Sequence, residues 1–225
     1  NGDLKNKLVK IGIQGDKISV VYNGVDSLNF TPADKNRCRL EMGLPLNKKI
    51  VLFVGSLEKV KGVFFLMESW RKLVDRFGQE IMLVLIGDGK EKRGLLRFVN
   101  KYQLNGYVLM AGTKPHSTIP QWINAADVFC LPSIREGCPN VLLEALNCNK
   151  FIVASNVGGI PEIIKPTCNC ILVEPENIES LTEGLEKALG SELSKISDSA
   201  RIIPPRSWSD SASERLALFN KICGR

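Results

Sequence analysis

Residues 50–56 read IVLFVGS, and residues 62–78 read GVFFLMESWRKLVDRFG. The first is an unbroken apolar run closed by a glycine; the second repeats its apolar residues at helical spacing. A run without polar alternation is buried on both faces, as a parallel strand is, and parallel strands need a helical crossover between them. The pair recurs. IMLVLIGDG (81–89) ends in Gly87 and Gly89, and the basic stretch KEKRGLLRFVNK (90–101) follows. YVLMAG (107–112), DVFCLPS (127–133), FIVAS (151–155) and CILVEP (170–175) predict four further strands with helices between them, and ISVVYNG (18–24) predicts one upstream. IESLTEGLEKALG (178–190) and WSDSASERLALFNKIC (208–223) read as the last two helices. The fold class is therefore α/β, a Rossmann-like parallel sheet with helices on both faces. Small residues recur at the carboxyl ends of the strands: Gly55, Gly87, Gly112, Ser133 and Ser155. Ligands of such sheets bind beyond those ends.

Composition narrows the function classes. The chain has 225 residues, 44% of them hydrophobic, which suits a globular protein with a sizeable core. The longest apolar run, 81–86, falls well short of the about 18 residues that span a bilayer. The chain begins Asn-Gly-Asp, with neither a methionine nor a signal-peptide pattern, so a processed start or a piece of a longer chain is expected. Seven cysteines, several inside strand-like runs (Cys130), favour packed thiols in a reducing compartment over a disulfide framework. The CNC of residues 168–170 lacks a second thiol or histidine pair at ligand spacing, and His116 is the single histidine, so no metal site is expected. Of the net charge of +6, much lies on residues 90–101. That stretch reads as the solvated face of an amphipathic helix with Leu95, Leu96 and Val99 inside; no aromatic residues interleave with its cations as a nucleic-acid platform requires.

REGCPNVLLEALNC (135–148) carries the chemistry. Pro139 suits a first helical position, Gly137 permits a sharp turn before it, and the N–H groups of Asn140 and Val141 then point outward as a positive pole suited to phosphate or hydroxyls. Leu142, Ala145 and Leu146 fall on one face and are expected in the core. Glu144 lies off that stripe, and Glu136 stands in the loop over the helix start. Carboxylates do not face phosphate, so both should accept from sugar or ribose hydroxyls. The spacing alone is equally compatible with two unrelated surface glutamates.

The longer stretch PSIREGCPNVLLEALNCNKFIVASNVGGIPEII (132–164) closely resembles the donor-site motif of the retaining GT-B glycosyltransferases of family four, a glutamate, seven residues and a second glutamate. FVGSLEKVKGV, LIGDG, ADVFCLPS, ILVEP and VVYNGVD match further elements of that family in order, so the resemblance covers roughly residues 17–190. It implies a donor site without metal or cofactor. Lys61 matches the lysine that neutralises the donor diphosphate, Glu136 the glutamate contacting the transferred sugar, and Glu144 the one binding ribose hydroxyls. Gly137, Cys138, Pro139, Asn140, Val141 and Leu142 match the turn and helix start whose amides meet sugar and distal phosphate. Gly112 and Thr113 begin the base-binding loop. Without the motif, Lys61 would read as an ordinary surface lysine. Gly158-Gly159 reads as a structural turn bordering the cleft.

Three positions depart from the family pattern. Ser56 replaces a frequent arginine and removes a second diphosphate cation, for which Lys59 is the candidate substitute. Asn149 and Cys170 stand where glycine is usual, and asparagine tolerates the left-handed backbone better than cysteine. The resemblance further implies that residues 1–24 end an acceptor-binding domain and linker, that 25–190 bind the nucleotide sugar, and that 191–225 form a tail with a helix returning toward the acceptor domain. The expected partners are a nucleotide diphosphate sugar and, through that domain, a glycan or lipid-linked acceptor, with no nucleic acid. The expected place is the cytoplasm, with peripheral attachment to the inner membrane face compatible with it. A GT-B epimerase or hydrolase, and a non-catalytic binding module that kept the fold, are the competing readings. A dinucleotide oxidoreductase is disfavoured because no strand ends in G-x-G-x-x-G.

Overall fold

The computed structural model describes residues 1–164, 169–190 and 206–224. Six parallel strands form one sheet: β1 (Lys49–Val54), β2 (Ile81–Ile86), β3 (Val108–Gly112), β4 (Val128–Leu131), β5 (Phe151–Ser155) and β6 (Cys170–Val173). Their order is β3-β2-β1-β4-β5-β6, so the chain winds outward one way from β1 and the other way from β4. Val51 and Leu52 pair with Val128 and Phe129 at that reversal. Such a switch point opens a crevice at the carboxyl ends, because the loops leaving the two strands part in opposite directions.

Strand alternation sorts the core into two layers. Ile50, Leu52, Phe129, Leu131 and Ile152 face α2 (Lys35–Met42), α5 (Ile119–Ala125), α6 (Asn140–Asn147) and α7 (Ile160–Ile163). Val51, Phe53, Val128, Cys130 and Val153 face the opposite layer of α3 (Val63–Phe77), α4 (Lys92–Lys101) and α8 (Ile178–Gly190). This burial on both faces is what the unalternating apolar runs require. Trp70 of α3 is fully buried, and its indole N–H donates to the Tyr107 carbonyl at 3.1 Å, so its one polar atom is satisfied. Cys130 and Cys148 are packed thiols, and burial pushes the Cys148 thiol up to about 12, away from reactivity.

Several local expectations are corrected. Residues 18–24 form no strand; only Val25 makes a bridge, to Ser207. The stretch is held instead by single contacts, with the Tyr22 carbonyl accepting from Ser211 Oγ at 2.9 Å. β-branched alternation reports a half-buried extended chain, which need not have a partner strand. Leu96 is 43% exposed among the α4 cations, because the buried stripe there is only Leu95 and Val99 wide. Asn149 does adopt the left-handed backbone, at φ 53°, whereas Cys170 opens β6 without any positive φ and needs no glycine. Cys168 and residues 191–205 of the expected tail lie outside the described residues.

Two helices flank this domain, α1 (Gly2–Lys10) and α9 (Trp208–Cys223). α9 is opened by a capping box between Ser207 and Asp210 and leaves Leu216, Phe219 and Ile222 exposed. No helix among the described residues is long and apolar enough to cross a membrane.

Candidate functional site

A crevice of about 460 Å³ opens at the β1/β4 switch point. Val54, Gly55 and Ser56 at the end of β1 line it together with Leu131 of β4. The β1–α3 loop adds Lys61, the β4–α6 loop and α6 add Glu136, Pro139, Asn140, Val141 and Glu144, and His116 and Ile119 complete the lining.

The loops that deliver Lys61 and Glu136 are tied through their backbones. A 3₁₀ turn over Lys59–Lys61 runs into Gly62, which caps α3 in the left-handed conformation. The Ile134 N–H of the β4–α6 loop donates to the Val60 carbonyl at 2.8 Å. Residues 75 apart in sequence thereby meet: Lys61 Nζ lies 2.7 Å from Glu136 Oε1, which also accepts from the fully buried Ser133 hydroxyl at 2.8 Å. The Glu136 side chain is only 8% exposed, so its charge depends on these two donors.

α6 begins one residue later than the sequence suggests. Pro139 is the N-cap in an extended conformation, and Asn140 is the first helical residue. No side chain caps this end, and among the described residues no acceptor faces the amides of Asn140 and Val141, so the positive pole is open. The assignment of faces on α6 also changes. Leu142 and Ala145 are buried as expected, but Leu146 is half-buried and Glu144 is buried. What covers Glu144 is His116 from the β3–α5 loop, whose Nε2 lies 3.0 Å from Glu144 Oε1. No periodicity in α6 could have announced a lid from another loop.

The remaining candidates lie around this centre. Gly137 is exposed, and its carbonyl accepts from Asn1 Nδ2 at 2.7 Å; Cys138 is half-buried against the core, and Leu142 belongs to it. Gly112 and the exposed Thr113 do not line the crevice; they begin the loop that carries His116. Lys59, the candidate substitute for the cation missing at Ser56, is exposed and is not among the lining residues. His116 is the site residue that the sequence reading missed. Its signal was position: it follows the carboxyl end of a strand, on the ligand-bearing edge of the sheet.

The Gly158-Gly159 turn borders the crevice from behind. A Cβ on Gly158 would lie 1.9 Å from the Glu136 carbonyl oxygen, and one on Gly159 2.1 Å from that of Gly137. The next helix, α7, presents Glu162 to the flanking segment: its carboxylate accepts from the Gly2 and Asp3 amides, both at 2.9 Å, and from the Tyr22 hydroxyl at 2.6 Å. The Tyr22 hydrogen bond, then the two amides, hold the Glu162 carboxyl below its usual 4.5, and the Glu162 hydrogen bond pushes Tyr22 up to about 12. A depressed carboxyl stabilises the docked state above its free value and loses that contribution as pH falls through the lowered one. A raised tyrosine contributes fully below 10 and loses it as pH rises through about 12. The Tyr22 contact of residues 18–24 is thus expected to hold up to about pH 10, and docking of α1 to hold above about pH 5 and to loosen below 4.5. Exchange of the Gly2–Lys10 amides, corrected for intrinsic rate, measures it, and Glu162→Gln removes the acid limb while weakening docking throughout.

The group 1 glycosyl transferase family model matches residues 34–203 of the chain. An uncharacterized glycosyltransferase of Methanocaldococcus jannaschii is 32% identical over 178 residues, which cover 77% of this chain and 45% of that protein. The crystal structure of Anabaena HepE in complex with UDP and glucose superposes with a TM-score of 0.82 at 20% identity, over 96% of this chain and 60% of the other. The C-terminal domain of a group 1 glycosyl transferase family protein from Francisella tularensis superposes at 0.67 and 22% identity, over 85% of this chain and 98% of that domain. These two likenesses concern the fold, which is that of the GT-B glycosyltransferases. The chain spans about half the length of the curated relatives it matches. With a family match over most of its length and a parallel sheet whose switch-point crevice brings Lys61, Glu136 and Glu144 together, the chain belongs to the group 1 glycosyl transferases.

Proposed function

We propose that the chain is the nucleotide-sugar-binding domain of a retaining glycosyltransferase that moves a hexose from a nucleotide diphosphate sugar to a hydroxyl acceptor, in the assembly of a cell-surface or lipid-linked glycan. One observation carries the reading. A single crevice holds an ammonium, an open helix start and two carboxylates, each with one oxygen engaged and the other unbonded among the described residues. That UDP and glucose occupy the HepE structure supports the same ligand class.

In this scheme the diphosphate lies across the Asn140 and Val141 amides, with Lys61 shared between Glu136 and phosphate oxygens. Glu136 accepts from hydroxyls of the transferred sugar, and Glu144 from those of the ribose. The acceptor oxygen bonds to the anomeric carbon as the bond to the diphosphate breaks on the same face. The acceptor proton passes to the departing phosphate oxygen. Lys61 and the helix pole stabilise the leaving charge, so the scheme is metal-independent and takes no cofactor. Residues 1–24 would link to an acceptor-binding domain, with 25–190 as the donor unit. The apolar face of α9 returns toward that domain, and the enzyme works in the cytoplasm or at the inner membrane face.

A second reading has its own observation: Lys61 and Glu136 satisfy each other, as they would in a binding module that kept the fold without catalysis. Calorimetry of the full-length protein with UDP, GDP and ADP separates the two from a failure of both. Saturable binding of one nucleotide, with transfer of sugar to a hydroxyl in a product assay, is the expected result. Binding without turnover favours the module, free sugar or an epimer as product favours a GT-B hydrolase or epimerase, and no binding to any nucleotide defeats the donor-site reading.

A further inference from the structure

Both crevice carboxylates are held by one oxygen only. Glu136 Oε1 takes the Lys61 and Ser133 donors, Glu144 Oε1 faces His116 Nε2 at 3.0 Å, and neither Oε2 has a protein partner among the described residues. A carboxylate anchored through one oxygen keeps its rotamer while the other oxygen stays available to an incoming hydroxyl. For Glu136 one anchor, Ser133, belongs to its own loop and the other, Lys61, comes from the β1–α3 loop. For Glu144 the anchor comes from a different loop, 28 residues upstream in sequence.

His116 is itself seated. Its ring lies 5.3 Å from that of Phe30, tilted by 52°, and Phe30 is only 1% exposed. The Phe30 carbonyl accepts from the Asn147 side chain of α6, so the residue backing the histidine is fixed to the helix that carries Glu144. The imidazole side chain is 71% exposed, so it contributes little to the core and its main specific contact is the carboxylate. In the neutral ring Nε2 must carry the proton to donate to Oε1, which leaves Nδ1 as an acceptor toward solvent.

We propose that His116 is a positioning residue for the nucleoside end of the site: it holds Glu144 so that the free Oε2 accepts from the ribose hydroxyls of a nucleoside diphosphate. The proposal rests on the nucleotide-sugar reading of the crevice. Without His116, Glu144 keeps its place on α6 but loses the donor that selects its rotamer, and the oxygen presented to the ribose is no longer fixed.

The test compares ligands that differ only at those hydroxyls. The full-length protein is titrated with UDP, GDP and ADP, and the tightest of them is then compared with its 2′,3′-dideoxy form. A hydrogen bond to a charged acceptor discriminates by about 10- to 100-fold, so the wild type should prefer the ribose form by that factor. His116→Ala should cut the preference to about threefold or less while leaving affinity for the dideoxy form nearly unchanged, and Glu144→Ala should remove the preference altogether. His116→Gln, which keeps an N–H donor, should recover part of it. Equal loss of affinity for both forms in His116→Ala, with the wild-type preference intact, would mark a merely structural histidine and overturn the proposal. A wild type that binds no nucleotide would instead overturn the reading of the crevice itself, and one that binds both forms alike would remove Glu144 from the ribose.

Discussion

Lys61→Met in the full-length protein is expected to lower sugar transfer on the order of 10²- to 10³-fold, the loss found when a preorganised electrostatic group is removed from a developing charge. Lys61 is the sole lysine or arginine among the residues lining the crevice. Ser56 stands at the end of β1 and Lys59 is exposed, so no second lysine or arginine among the described residues lines the crevice. The two lining glutamates outweigh the one ammonium, so in its absence a diphosphate would meet only the α6 amides against two carboxylates. Lys61→Arg should restore part of the rate, because the charge returns on a planar fork of different reach.

The same substitution has a stability cost that must be separated from the rate. It leaves Glu136, 8% exposed, with the Ser133 hydroxyl as its one remaining donor. Removing one partner of a fully buried pair costs about 3–5 kcal/mol, but Lys61 is 26% exposed and solvent screens the pair, so about 1–2 kcal/mol is expected. Adding Glu136→Gln to Lys61→Met removes the unpaired charge and should return most of the melting temperature without returning the rate. Urea titrations and released nucleotide measure the two effects. Wild-type turnover in Lys61→Met would eliminate the proposed role of the ammonium.

How much of this was legible depends on whether the determinant is local. The six strands were readable because a strand covered on both faces is apolar throughout, and a glycine or serine at the carboxyl end of β1 to β5 marks the ligand edge. The extended stretch 18–24 had the same local character and no partner strand, a distinction that only the completed sheet makes. The helix start at Pro139 and Asn140 was readable to within a residue, since proline and glycine act on their own backbone. Burial of Glu144 was not, because its cover is His116 from another loop. Nor was the contact of Lys61 with Glu136 readable from spacing, since it depends on the Ile134–Val60 backbone bond. Asn149 took its left-handed angle as a residue in a glycine position should, while Cys170 did not, because the strand begins at it. Local chemistry wrote the elements and the helix pole; loop against loop made the site.

That dependence makes Gly62→Ala the most damaging small substitution expected. Gly62 has φ 69°, and a Cβ there would lie 1.8 Å from the Pro132 carbonyl oxygen and 2.8 Å from its carbon, backbone atoms that cannot rotate aside. Gly112 has the same φ of 69° with nothing within 4 Å of its Cβ position. Gly112→Ala therefore pays only the left-handed penalty of about 1–2 kcal/mol, whereas Gly62→Ala adds the clash and should reach about 3–5 kcal/mol. The strain falls on the junction that matters, for relieving it pushes the β1–α3 loop off the β4–α6 loop. The Ile134–Val60 bond then breaks, and Lys61 moves away from Glu136. The two variants are compared by urea unfolding at one temperature, with the difference in midpoint isolating the contact between loops. Equal destabilisation would mean that Gly62 and Pro132 do not meet, and with them would go the reason for an ammonium and a carboxylate distant in sequence to share one crevice.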